Sequence, residues 1–211
     1  MEGREGAASK EKYEAILAAA KQLFGHYGYR RTSIDDIARE ACIAKGTVYL
    51  YFKSKEEIFR ALCQQLLNAV LSSAEEAYGT VGPIEQRLRR MLAAKFDYLF
   101  ELVHRSPHAR ELIDAKNQLS ADIFSQADRR YLRMMSAMLV DAAKQGELDF
   151  AWADVDADTA AELLIRSAAG NELYGSTPPT PATLRKRLDA LVRVFISGLS
   201  GARPPSSPWQ G

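Results

Sequence analysis

Apolar residues recur at every third or fourth position through most of the chain, and the strict alternation that marks a half-buried strand is almost absent. The pattern predicts an all-α fold of about nine helices, punctuated by glycine, proline and serine. Ile16, Ala20, Leu23, Phe24 and Tyr27 share one face of a first helix, from about Lys10 to Tyr27, and Gly28 stops it. Thr32 or Ser33 caps a short second helix, with Asp35 or Asp36 closing a capping box, and Ile34, Ile37, Ala38 and Ala41 repeat at helical spacing. A turn at Cys42, Ile43 and Ala44 leads into Lys45 to Phe52, where Val48 and Phe52 stand i and i+4 on one side. Ser54 and Glu57 then box the start of a long helix, Lys55 to about Tyr78, with Ile58, Leu62, Leu66, Ala69 and Val70 as its expected stripe. Two short helices, a tight turn and an immediate third helix start together form a helix-turn-helix, whose second helix reads DNA.

Further on, Gly79 to Gly82 interrupts the pattern and Pro83 opens a helix carrying Ile84, Leu88, Met91, Leu92, Lys95, Leu99 and Leu102 on one side. Ser106 and Pro107 start a short helix to about Lys116, and another runs from about Ser120 to Lys144, ending at Gly146. Asp156 caps a helix from Ala157 to about Tyr174, and the run from Ser176 to Pro181 separates it from a last one, Ala182 to about Leu199. The organisation is therefore an N-terminal three-helix DNA-binding domain over residues 1–55, a helical regulatory and dimerisation domain over 56–200, and a proline- and serine-rich tail over 201–211 that is expected to be disordered. Trp209 in that tail has no assigned role.

Net charge is only +1, so its distribution matters more than its sum. Between Lys21 and Lys55 stand seven basic and three acidic residues, an excess of four, whereas from residue 61 onward 17 basic face 18 acidic ones. The positive field is local to the helix-turn-helix, as phosphate neutralisation requires. No apolar run of membrane length and no secretory leader is legible, which makes the cytoplasm the expected compartment. Cys42 and Cys63 form neither a disulfide framework nor a metal-ligand pattern, and buried thiols are the plainer reading against a redox switch.

The string DDIAREACIAKGTVYLYFKSKEEIF resembles the N-terminal domain of TetR-type transcriptional regulators, and the match covers about residues 10 to 60. Such proteins commonly carry glycine where this chain has Cys42, which would relieve a positive φ, and serine where it has Ala44, which would cap the recognition helix. The departures predict a slightly strained turn with a weak cap, or a turn shaped to need neither. Within the motif, Lys45 and Thr47, with Ala44 and Leu50, are placed to face base edges, and Gly46 to allow close approach to the backbone. Thr32, Ser33, Tyr49, Tyr51 and Lys55 are placed to grip phosphates. The resemblance gives the threonine, the tyrosines and Lys55 the same roles, although each tyrosine could instead be a packing residue.

A single recognition helix covers few base pairs, so fixed spacing between two of them calls for a homodimer on double-stranded operator DNA. The last two helices are the expected interface, through Leu164, Ala168, Leu188, Leu191, Val192 and Phe195; the resemblance implies a four-helix arrangement there. The resemblance further implies a small-molecule pocket in the middle helices. Met91, Tyr98, His104, Met134, Met138 and Asn171 are its candidate lining, suited to a hydrophobic or amphipathic ligand.

No catalytic constellation, cofactor motif or metal site is expected: His104 and His108 flank a proline that breaks helical register, and Asp114 adds no third ligand at motif spacing. The function expected is a ligand-released repressor with the Lys55 to Tyr78 helix as lever. The alternative is a constitutive DNA-binding dimer whose C-terminal helices serve only dimerisation or protein contact.

Overall fold

The computed structural model describes the backbone of residues 2–104, 107–151, 153–173 and 180–200, and their side chains except at 2–6, 98–104, 109–110 and 171–173. Among the described residues there are nine helices and no strand. They are α1 (Glu2–Tyr27), α2 (Ile34–Glu40), α3 (Lys45–Tyr51), α4 (Lys55–Gly79), α5 (Ile84–His104), α6 (Ala109–Leu119), α7 (Ala121–Lys144), α8 (Ala157–Leu173) and α9 (Pro181–Ser200). None is long and apolar enough to cross a membrane. The tail, including Trp209, and Ser106 lie outside the described residues.

The capping grammar is realised at α2 and α8 and in half at α4, where the Glu57 carboxylate accepts the Lys53 N–H, not that of Ser54, whereas α6 starts from His108 without a side-chain cap bond. The Ser33 hydroxyl accepts the Asp36 N–H at 3.1 Å and the Asp36 carboxylate accepts the Ser33 N–H at 3.0 Å, a complete capping box at the start of α2. Glu57 N–H donates to the Ser54 hydroxyl at 3.1 Å ahead of α4, Thr159 N–H to Asp156 at 2.7 Å ahead of α8, and Thr183 N–H to Thr180 at 3.2 Å in α9. Gly28 and Gly146 take φ of +87° and +76° where α1 and α7 end. One boundary differs from expectation. α1 begins at Glu2, eight residues before Lys10, because its first two turns carry no apolar stripe and are helical through residues of high intrinsic propensity such as Ala7 and Ala8.

The chain forms two compact units, residues 1–69 with 99–127 and residues 70–98 with 128–211. The first has its core in Ile16, Leu17, Ala20, Leu23 and Phe24 of α1, Ile37 and Ala38 of α2, Val48 and Phe52, Ile58, Phe59 and Cys63 of α4, and Ala115 of α6. Phe24, Tyr29 and Phe59 pack against one another within it, Tyr29 edge-on to Phe59 and both tilted to Phe24, with centroids 5.1–5.8 Å apart. Two apolar positions depart from the expected stripes: Tyr27 is 52% exposed at the end of α1, and Ala69 is exposed while Phe59, Cys63 and Leu67 of α4 are buried.

The second unit buries Leu88, Met91, Leu92, Phe96, Tyr131, Met135, Met138 and Leu139 at no more than 1% exposure. Its polar cross-links are specific. The Tyr131 hydroxyl donates to the Met91 carbonyl at 2.8 Å, Tyr78 to Asp141 at 3.0 Å, and the Ile84 N–H to Glu147 at 2.8 Å. Lys95 bonds Asp128 at 2.7 Å while its ammonium lies 4.7 Å from the Tyr131 ring centre.

Candidate nucleic-acid interface

The α2–α3 turn is built from a strained residue. Cys42 takes φ +55°, and Cys42 N–H and Ile43 N–H donate to Arg39 O and Ala38 O at 3.1 and 3.0 Å, which closes α2. A side chain in this left-handed conformation costs roughly 1–2 kcal/mol. Ala44, the N-cap of α3, makes no side-chain cap bond. The turn is thus strained and weakly capped, the first of the two possibilities read from the sequence.

Val48 and Phe52 anchor α3 in the core at 0% and 4% exposure. The rest of the helix faces outward: Ala44, Lys45 and Gly46 are exposed, Thr47 is half-buried, Tyr49 is 47% exposed and Leu50 83% exposed. Leu50 is thus open at the surface of a two-turn helix, on the same side as Tyr49 and free of the core. Tyr51 is turned the other way. Its ring packs edge-on to Tyr13 of α1 at 6.4 Å and its hydroxyl donates to Ser9 at 3.3 Å, which makes it a packing residue with a wet edge.

The loop from Gly28 to Thr32 is held from two sides. The Lys55 ammonium donates to the carbonyls of Tyr29 and Thr32, both at 2.8 Å, and of Arg30 at 3.4 Å, and sits 4.4 Å from the Tyr29 ring centre. Burial pushes this ammonium below its ordinary pKa, and the Glu111 carboxylate works against that shift. Glu111 of α6 accepts the Arg30 N–H at 2.5 Å, and a Cβ on Gly28 would stand 2.6 Å from its Oε2. Thr32 is 3% exposed and its hydroxyl donates to Gly28 O at 2.8 Å. Lys55 and Thr32, read from the motif as phosphate ligands, are thus engaged inside the protein, whereas Ser33 is exposed at the start of α2.

The local positive charge is similarly partitioned. Lys45 Nζ lies 2.9 and 3.1 Å from the two oxygens of Asp35, and Arg39 3.3 Å from Asp36. The hydrogen bond and charge of Asp35 raise the Lys45 pKa, and the Ser33 hydrogen bonds lower that of Asp36. Arg30, Arg31 and Lys53 remain as exposed cations beside the motif. Sequence reasoning counts these three in the charge tally without placing them in the site, and spacing does not single them out, since Asp35 follows Arg31 and Glu57 follows Lys53 by four residues; their exposure in the fold does.

The regulatory candidates fall differently. Met91 and Met138 are fully buried in the second unit and Met134 is half-buried, while the side chains of Tyr98, His104 and Asn171 lie outside the described residues. Leu164, Ala168, Leu188 and Val192 are at most 4% exposed and are consumed by the packing of this single chain. Leu191 and Phe195 are half-buried, and the open apolar surface beside them is Leu163 at 52% and Val194 at 71%. The Cys63 thiol is buried, and that burial above all raises its pKa, against the hydrogen bond of Ser120.

Residues 16–62 match the family model described as bacterial regulatory proteins, tetR family. The HTH-type transcriptional regulator RutR of Escherichia coli O157:H7 is 28% identical over 218 residues, covering 93% of this chain and 94% of that one. A transcriptional regulator from Cytophaga hutchinsonii ATCC 33406 has a similar fold at a TM-score of 0.73 and 17% identity, over 89% of this chain and 98% of that one. FadR from Bacillus subtilis, solved in complex with stearoyl-CoA, is similar at a TM-score of 0.60 and 20% identity, over 89% and 99%.

Proposed function

The chain is a member of the tetR family of bacterial regulatory proteins and a DNA-binding transcription regulator, and from that premise we propose that it is a cytoplasmic homodimeric repressor released from a pseudo-palindromic operator by a small hydrophobic molecule. The outward face of α3 carries this reading: Ala44, Lys45, Gly46, Thr47, Tyr49 and Leu50 form one surface on a helix pinned from behind by Val48 and Phe52. Lys45, Thr47 and Leu50 meet base edges. Tyr49 and Ser33 meet phosphates, joined by Arg30, Arg31 and Lys53. Lys55 and Thr32 support this surface from within by fixing the loop ahead of α2.

Two copies are needed to place two recognition helices one helical turn of DNA apart, roughly 34–36 Å. Leu163 of α8 and Leu191, Val194 and Phe195 of α9 are the apolar surface suited to join them. The ligand acts through a different affinity for the DNA-competent and incompetent states. α4, which begins beside α3 and contributes residues to both units, is the lever. The stearoyl-CoA complex of the similar B. subtilis regulator makes long-chain acyl thioesters the first ligands to try.

Selection of bound sequences from a random duplex pool tests the core of the proposal. A palindromic consensus is expected, and no enrichment at low salt would overturn it. The second reading, a constitutive dimer, rests on the closed packing of Met91, Met135 and Met138. Thermal denaturation against acyl thioesters and a metabolite panel separates the two, because a ligand of the native state raises Tm.

A further inference from the structure

The ion pair between Asp35 and Lys45 joins the two helices of the reading motif at its outer surface. The Lys45 ammonium straddles both carboxylate oxygens at 2.9 and 3.1 Å, and each side chain is 53% exposed, so neither is hidden from an approaching duplex. Asp35 and Asp36 stand side by side in the first turn of α2 with different duties. Asp36 completes the capping box with Ser33 and pairs with Arg39; Asp35 does neither and pairs instead with Lys45. Lys45 is the first residue of α3, where the helix dipole opposes a cation and no side chain caps the helix. Asp35 offsets that cost.

The consequence concerns discrimination. A free lysine at the front of a recognition helix neutralises a phosphate of any duplex and contributes equally to right and wrong sequences. A paired lysine must first leave its carboxylate, which then stands uncompensated near the phosphates. A G·C pair in the major groove offers a way to keep both: guanine O6 and N7 accept from the ammonium while the cytosine N4 amine donates to the carboxylate. We propose that Asp35 is a specificity-determining residue of this regulator, which acts through Lys45 by holding its ammonium off phosphate and directing it to a G·C base-pair edge. The inference rests on the DNA-reading role proposed above.

The test uses the full-length dimer and two duplexes, the selected operator and a random sequence of equal length, each titrated over a salt series. Asp35→Asn is expected to raise random-duplex affinity about threefold to tenfold at 0.1 M salt and to steepen the logarithmic salt slope by about 0.9 for each protomer, the signature of one more neutralised phosphate. The operator-to-random affinity ratio falls, and the preference for G·C relaxes at one position of each half-site. In a Lys45→Met background, where no ammonium can be freed for a phosphate, Asp35→Asn is expected to leave the salt slope unchanged, any gain from removing the carboxylate being shared by both duplexes. A slope steepened as much in that background would mean general charge removal and overturn the proposal, as would an unchanged slope in the single variant. Wild-type protein that binds no duplex at low salt would overturn the DNA-reading function and this inference with it; wild-type protein that selects an operator while Asp35→Asn behaves identically overturns the inference alone.

Discussion

The motif at the front of the first unit and the methionine-rich helices of the second use the same kinds of residue to opposite ends. In α3 the large apolar Leu50 is 83% exposed and Tyr49 is 47% exposed, whereas in α5 and α7 Met91, Met135 and Met138 are fully buried and Tyr131 is 1% exposed. The first arrangement leaves apolar surface in water, as the proposed reader of base edges would use it; the second is closed by its own packing. A surface reader declares its chemistry in the free protein. A sensor built from core residues conceals it, because the residues that would touch a ligand are those that hold the unit closed.

The sharpest way to break this contrast is to truncate a buried methionine. Met138→Ala is expected to cost about 2–5 kcal/mol of stability, read as a lower midpoint in thermal or denaturant unfolding, because it removes a fully buried side chain from a packed core. A variant with an unchanged midpoint would show that Met138 borders a space the chain does not need to fill, and would return it to the ligand lining expected from the sequence.

Lys55 tests the other side. As the donor to three carbonyls of the loop from Gly28 to Thr32, it is expected on substitution by methionine to lower stability by about 2 kcal/mol, since several bonds to a charged donor are lost at once. Tm should fall by about 4–8 °C for a chain of this size. Affinity should fall for every duplex with the salt slope unchanged. A slope reduced by about 0.9 with Tm intact would make Lys55 a phosphate ligand after all.

How far each feature was legible follows from the range of its cause. Ser33, Asp36, Ser54, Glu57 and Asp156 act within one helical turn, and their spacing alone placed the caps. The inward turn of Val48 and Phe52, and with it the outward face of α3, followed from the same periodicity. The string places Lys55 among DNA contacts and says nothing of the carbonyls 23 to 26 residues earlier that its ammonium also holds. Glu111 escaped notice altogether, being 81 residues from the Arg30 N–H that it accepts. In α8 and α9 the apolar stripe was visible, but its division into residues buried within the chain, such as Leu164 and Val192, and residues left open, such as Leu163 and Val194, depends on helix rotation, which a broad stripe does not fix.

A smaller effect of opposite sign is expected at the turn. Cys42→Gly removes the steric cost of φ +55° and should raise stability by about 1 kcal/mol, less what glycine adds to the entropy of the unfolded chain. Operator affinity should hold, because the Cys42 side chain is exposed with its thiol 4.0 Å from Glu40 O, and no base-facing role is assigned to it. A loss of stability would mean that the thiol contributes packing that outweighs the strain.

The smallest effect belongs to acid. The Arg60 guanidinium hydrogen-bonds Asp122 at 2.7 and 2.9 Å and draws its carboxyl from an ordinary 3.8 to about 2. Because the folded value lies below the unfolded one, the ionised pair stabilises the fold fully above the ordinary value, and that contribution is lost as pH falls toward 2. Solvent screens the pair, so its share at neutral pH is slight. Asp122→Asn should therefore leave the neutral-pH midpoint nearly unchanged and flatten the dependence of stability on pH between about 4 and 2, measured by denaturant unfolding at each pH. An undiminished slope in the variant would assign the acid sensitivity elsewhere, first to Asp36 and Asp156, whose carboxyls are held low by the Ser33 and Thr159 hydrogen bonds at the starts of α2 and α8.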